Sequence, residues 1–160
     1  MMNSLLDTKN EKKREEIYKR LENPPEFIEH ALYIKTKDQR VVPLWMNEAQ
    51  EKIYRRIREL GKADKPLRII ILKARQEGVS TLCEAILFEK TARHENVNSL
   101  IVAHDPESTE EIFAMSKRFY DMLPDWMKPM RRYDNKKQMV FENPNEKGRG
   151  NLPGKRSRMI

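Results

Sequence analysis

Apolar positions along this chain follow two rhythms. From Asn47 to Leu60 they fall at Ala49, Ile53, Ile57 and Leu60, the spacing of one helix face. Asn47 is a natural N-cap for that helix and Gly61 a natural stop. Val79 to Ala92 is apolar around much of its helical circumference, which predicts a helix packed beneath a sheet. After Asp105, a cap residue, Pro106 takes the first helical position, and Ile112, Met115, Phe119 and Met122 line one face of a third helix. Between these lie two short unbroken apolar runs, Arg68 to Lys73 and Ser99 to Ala103, apolar on both faces as central parallel strands are. Strand, helix, strand, helix predicts right-handed crossovers and a parallel sheet, with Arg68–Leu72 central beside Ser99–Ala103.

The flanks are less regular. Residues 8–22 alternate in charge sign and offer only Ile17, Tyr18 and Leu21 as a narrow apolar stripe, ended by Asn23-Pro24-Pro25. Phe27 to Ile34 fits a helix or a strand. Tyr33–Thr36 and Arg40–Leu44 read as a hairpin around Lys37-Asp38-Gln39. Beyond Leu123, Pro124 and Pro129 break the chain, and Gln138–Glu142 is a short strand. Residues 143–155 form a polar turn region, and Ser157–Ile160 begins another strand. The expected division is a charged N-terminal helix over 1–26 and one α/β domain over 27–160.

Composition narrows the partners. The 160 residues are 38% hydrophobic and 36% charged, with 32 basic against 25 acidic side chains, a net charge of +7. That balance suits nucleic acid, although a soluble basic protein needs no such role. Cys83 is the only cysteine, so no intrachain disulfide forms, and its apolar helix suits an inert thiol. No run approaches membrane-spanning length, and no signal-type segment opens the chain, so a soluble intracellular protein is expected.

Candidate chemistry lies between the first apolar run and the helix after it, in Lys73-Ala74-Arg75-Gln76-Glu77-Gly78-Val79-Ser80-Thr81. A strand, a glycine-containing turn and a helix N-terminus present successive N–H groups to an anion such as a triphosphate. The common loop reads G-x-x-x-x-G-K-[ST]. Here Lys73 replaces the first glycine and Val79 holds the lysine position, so the positive charge has moved to the front of the loop. Ser80 follows that position and is the candidate Mg²⁺ ligand, unless it merely starts a helix. Lys73 suits one phosphate oxygen as a point charge, whereas the fork of Arg75 bridges two.

This loop resembles the Walker A motif of large terminase subunits, the ATPases that drive DNA into the proheads of tailed phages. Val41-Val-Pro-Leu-Trp-Met-Asn-Glu-Ala-Gln50 is similar to the segment in which that family's glutamine contacts adenine, and Leu100-Ile-Val-Ala-His-Asp105 to a later strand. Together these cover roughly residues 27–123. The resemblance implies an α/β P-loop NTPase fold, a parallel sheet flanked by helices, with ATP and Mg²⁺ as cofactors. It implies that Lys73 does the work of the missing lysine and that Arg75 acts as an internal arginine finger, or the reverse. Double-stranded DNA, a portal protein and a small terminase subunit are the implied partners. A homo-oligomeric ring in the host cytoplasm, at the prohead, is the implied setting.

Two assignments have structural rivals. Gln50 lies three residues after Asn47, the spacing of a capping box, as well as matching the adenine-reading glutamine. Asp105 imitates a Walker B acid but is explained as a helix cap. The family's aspartate and glutamate pair is expected beyond Ile160, which makes this chain the front piece of a longer motor with little hydrolysis of its own. A helicase-type ATPase shares the order of glutamine and P-loop. A basic DNA-binding or assembly module with a loop that binds no nucleotide is the reading from another class.

Overall fold

A computed structural model of the chain describes residues 10–63, 65–135, 138–142 and 157–160. The expected turn region at 143–155 lies outside them. Five helices and two small sheets make a mixed α/β structure among these residues.

Asn10 caps α1 (Glu11–Leu21), its side chain accepting from the Lys12 N–H at 3.1 Å. Pro24 opens α2 (Pro24–Ala31), which settles the ambiguous segment as helix and then strand. Strands β1 (Tyr33–Lys35) and β2 (Val41–Pro43) pair antiparallel, with Ile34 opposite Val42, as the hairpin reading expects. Helix α3 (Glu48–Leu60) begins with the capping box: Asn47 and Gln50 exchange side-chain and backbone hydrogen bonds. Helix α4 (Val79–Arg93) is the most enclosed element, burying Leu82, Ala85, Phe88 and Ala92 completely. It packs on α5 (Pro106–Met122) through Phe88 and Phe119, whose ring centroids lie 5.6 Å apart. It packs on α2 through Arg93, held by Glu89 at 2.9 Å with its guanidinium over the Phe27 ring.

The larger sheet has the order β3-β6-β5-β4, from β3 (Asn98–Ser99), β6 (Arg158–Met159), β5 (Met139–Phe141) and β4 (Arg131–Asp134). Only the β3–β6 pair is parallel; β5 runs antiparallel to both its neighbours. Buried hydroxyls tie this sheet to α4. Thr91 Oγ1 and Ser99 Oγ meet at 2.6 Å, and the Ser157 hydroxyl donates to the His94 carbonyl at 2.7 Å while accepting from the Val97 N–H at 3.0 Å.

Here the expectation of a central Arg68–Leu72 strand fails. None of the backbone hydrogen bonds among the described residues involves residues 67–73, and Ile70 and Leu72 are fully exposed. The segment has the composition of a buried strand without a ladder to join, because no described strand runs beside it. Ser99–Ala103 is corrected in the same way. Pairing with Met159 and Ile160 reaches Ile101, but Leu100 and Val102 stand out in solvent. The sheet that does form is mixed, not parallel throughout.

Candidate functional site

The loop from Ala74 to Gly78 is built by backbone geometry that its sequence only partly announces. Gln76 and Gly78 both have positive φ, 65° and 69°. Alternation of that kind makes a concave nest of N–H groups. Glycine is favoured at position 78 by its backbone, and a side chain there would displace the Gln50 amide. Its φ disfavours a side chain, and a Cβ there would lie 2.7 Å from Gln50 Nε2.

Gly78 is also the N-cap of α4, and having no side chain it caps nothing. Three other described helices differ, because Asn10, Asn47 and Asp105 each bond a first-turn N–H of the helix they begin, whereas α2, begun by Asn23, also lacks a side-chain cap. No acidic residue stands in the first turn of α4 either. A 15-residue helix thus begins at N–H groups and a positive dipole end with no N-cap side chain and no first-turn acid.

Three straps hold the loop. Gln50 Nε2 donates to the Gly78 carbonyl at 2.8 Å, Asn47 Nδ2 to the Glu77 carbonyl at 3.4 Å, and Lys37 Nζ to Gln76 Oε1 at 2.6 Å. The hairpin tip and the start of α3 therefore converge on the turn from far away in sequence. Beside it opens a cleft of about 410 Å³ lined by Asn47, Glu48, Ala49, Lys52 and Glu77.

The residues singled out from sequence fall as follows. Lys73, Ala74, Arg75 and Gln76 are exposed, and Ser80 is exposed on the first turn of α4. Thr81 is half-buried beside it, and Val79 is buried and offers only its backbone. Gln50 is 5% exposed, its Oε1 taken by the Asn47 N–H at 3.0 Å and its Nε2 by Gly78. Asp105 is a cap: its carboxylate accepts from the Ser108 N–H and hydroxyl, both at 2.7 Å, and those bonds hold its pKa below the ordinary value. His104 Nε2 lies 2.6 Å from the same carboxylate. Burial pushes the Cys83 thiol up, away from a nucleophile's range.

Sequence reasoning missed Lys37, which sits 39 residues from its partner in the loop with no local signal to connect them. It also missed Glu84, buried between α4 and α5; the only signal was a carboxylate inside an apolar helix.

The residues present fit a polyphosphate with a divalent ion. Uncapped N–H groups, a nest and the exposed Lys73 and Arg75 suit the phosphates, and the Ser80 hydroxyl suits the metal. No protein-family model and no curated protein matches the chain, so a functional reading stands on this loop and its surroundings. No described helix is long and apolar enough to cross a membrane.

Proposed function

We propose that this chain is the ATP-binding front part of a large terminase subunit, a motor that moves double-stranded DNA into proheads, with a P-loop NTPase fold. The observation that carries the reading is the uncapped N-terminus of α4 behind the Gln76–Gly78 nest, with two exposed cations ahead of it. Helix dipole, nest and cations all favour the same ligand, a chain of phosphates.

In this reading the N–H groups of residues 76–81 cradle the phosphates and Lys73 adds a point charge. Arg75 offers a fork for charge that develops on a transferring phosphoryl group. Ser80 would hold Mg²⁺, which would supply charge neutralisation to the phosphates. The cleft beside Asn47 and Lys52 gives a base room next to the loop. The net charge of +7 suits a DNA backbone, and the portal protein, small subunit and ring belong to the complete motor.

Titration calorimetry with ATP and Mg²⁺ tests this. The chain should bind, and Lys73→Ala should weaken binding by about 1.5–3 kcal/mol, the worth of a charge-assisted hydrogen bond. Absence of binding by the parent chain refutes the reading and favours a basic module whose loop holds no nucleotide.

A further inference from the structure

We propose that Gln50 is a positioning residue for the loop: its side-chain amide holds the Gly78 carbonyl and so sets the turn that faces the phosphates. This rests on the nucleotide-site reading above and deepens it.

An amide that reads a base must keep a donor and an acceptor in the open, side by side. Gln50 turns both inward, so that its remaining N–H and lone pair have almost no open face to offer a base. Its Oε1 accepts from the Asn47 N–H at 3.0 Å, its Nε2 donates to the Gly78 carbonyl at 2.8 Å, and only 5% of the residue is exposed. The Gly78 carbonyl is also the acceptor of the first helical bond of α4, from the Leu82 N–H at 3.0 Å. One carbonyl is therefore shared between the start of α4 and the cap of α3. Two chain segments 28 residues apart are locked at the point where the loop becomes a helix.

The glycine completes the device. Without a Cβ, position 78 lets the Gln50 amide approach within hydrogen-bond distance; with one, Nε2 would stand 2.7 Å from it. Asn47 adds a weaker strap to the neighbouring Glu77 carbonyl, at 3.4 Å. Orientation of the Gly78 peptide fixes where the following N–H groups point, so the capping box of α3 aligns the anion cradle of α4.

The test compares ATP with inorganic tripolyphosphate, which has phosphates and no base, on the whole chain with Mg²⁺. A positioning role predicts that Gln50→Met weakens both ligands equally, by roughly three- to tenfold. Loss confined to ATP, with tripolyphosphate unchanged, overturns the proposal and returns Gln50 to base recognition. Unchanged affinity for both overturns it as well.

Backbone amide exchange gives an arm that needs no ligand. In Gln50→Met, exchange at Leu82, whose N–H bonds the Gly78 carbonyl, should quicken along with that at Asn47, whose N–H bonds Gln50 Oε1. Gln50→Glu keeps the acceptor for Asn47 but loses the donor, so it should quicken Leu82 alone. Quickening confined to Asn47 in Gln50→Met means only a lost cap, and overturns the proposal. Should the parent bind neither ligand, the nucleotide reading falls and the exchange arm alone decides the role of Gln50.

Discussion

The Ser116 hydroxyl of α5 donates a hydrogen bond to the carboxyl of Glu84 on α4, in an interface where Glu84 is 1% exposed and Ser116 is fully covered. Burial pushes the Glu84 carboxyl from its ordinary 4.5 up to about 7, with the serine bond pulling the other way. Its folded value thus stands above its unfolded one, and the folded state holds the proton more tightly. The associated stability is complete below about 4.5 and is lost as pH rises through about 7. The whole change is worth about 3 kcal/mol. Urea midpoints should therefore fall between pH 5 and pH 8, and Glu84→Gln should flatten that fall. Asp38 and Asp105 shift downward, so their effect appears as pH drops below their ordinary 3.8, outside this window.

Gly78→Ala should destabilise the chain by about 1–2 kcal/mol from its left-handed backbone alone, and by more because the new methyl meets Gln50 Nε2. A double-mutant cycle separates the two costs. With Gln50→Ala already in place, Gly78→Ala should cost only the backbone part. Equal costs in both backgrounds would show that the contact is not crowded.

On the proposed reading Ser80 bears on metal and not on phosphate. Ser80→Ala should leave ATP affinity in EDTA unchanged and abolish its increase with Mg²⁺. Thr81→Val should retain that increase. An increase that survives Ser80→Ala would take the metal away from this hydroxyl.

Ser157 has no exposed surface, and its hydroxyl serves both the His94 carbonyl and the Val97 N–H. Alanine there leaves two polar groups without that partner, at a cost of about 2 kcal/mol. Thermal unfolding should report this as a drop of several degrees in Tm, while Ser157→Thr, which keeps the hydroxyl, should lose less.

What was legible in the sequence was local. The cap and reciprocal bond of Asn47 and Gln50 span three residues, as do Asp105 and the Ser108 N–H it holds, and such pairs declare themselves by spacing. The hairpin at 33–43 likewise needs only its own two arms. The Arg68–Leu72 run shows the limit, since an apolar stretch has the same composition whether or not a neighbour bonds to it, and pairing is a property of two segments. β4 escaped for the opposite reason. Arg-Arg-Tyr-Asp has no apolar alternation and is exposed throughout, yet it pairs with β5. At the site, the loop residues were visible as a motif. The straps from Lys37 and Asn47 were not, because each joins segments 30 or more residues apart.

The place of β6 in its sheet sets where chain closure costs most. It lies between β3 and β5, and it comes after both in the chain, with Asn98 paired to Arg158 across 60 residues. The backbone bonds within helices α1 to α5 and the 33–43 hairpin are local and need no long loop closure. β3 and the β4–β5 pair are joined only through β6, a segment later in the chain than both. Loop closure over that distance makes the joining of β6 to β3 the step of sheet assembly with the highest entropic cost. The Ser157 hydroxyl acts at that step, because it latches the arriving strand to the turn that follows α4.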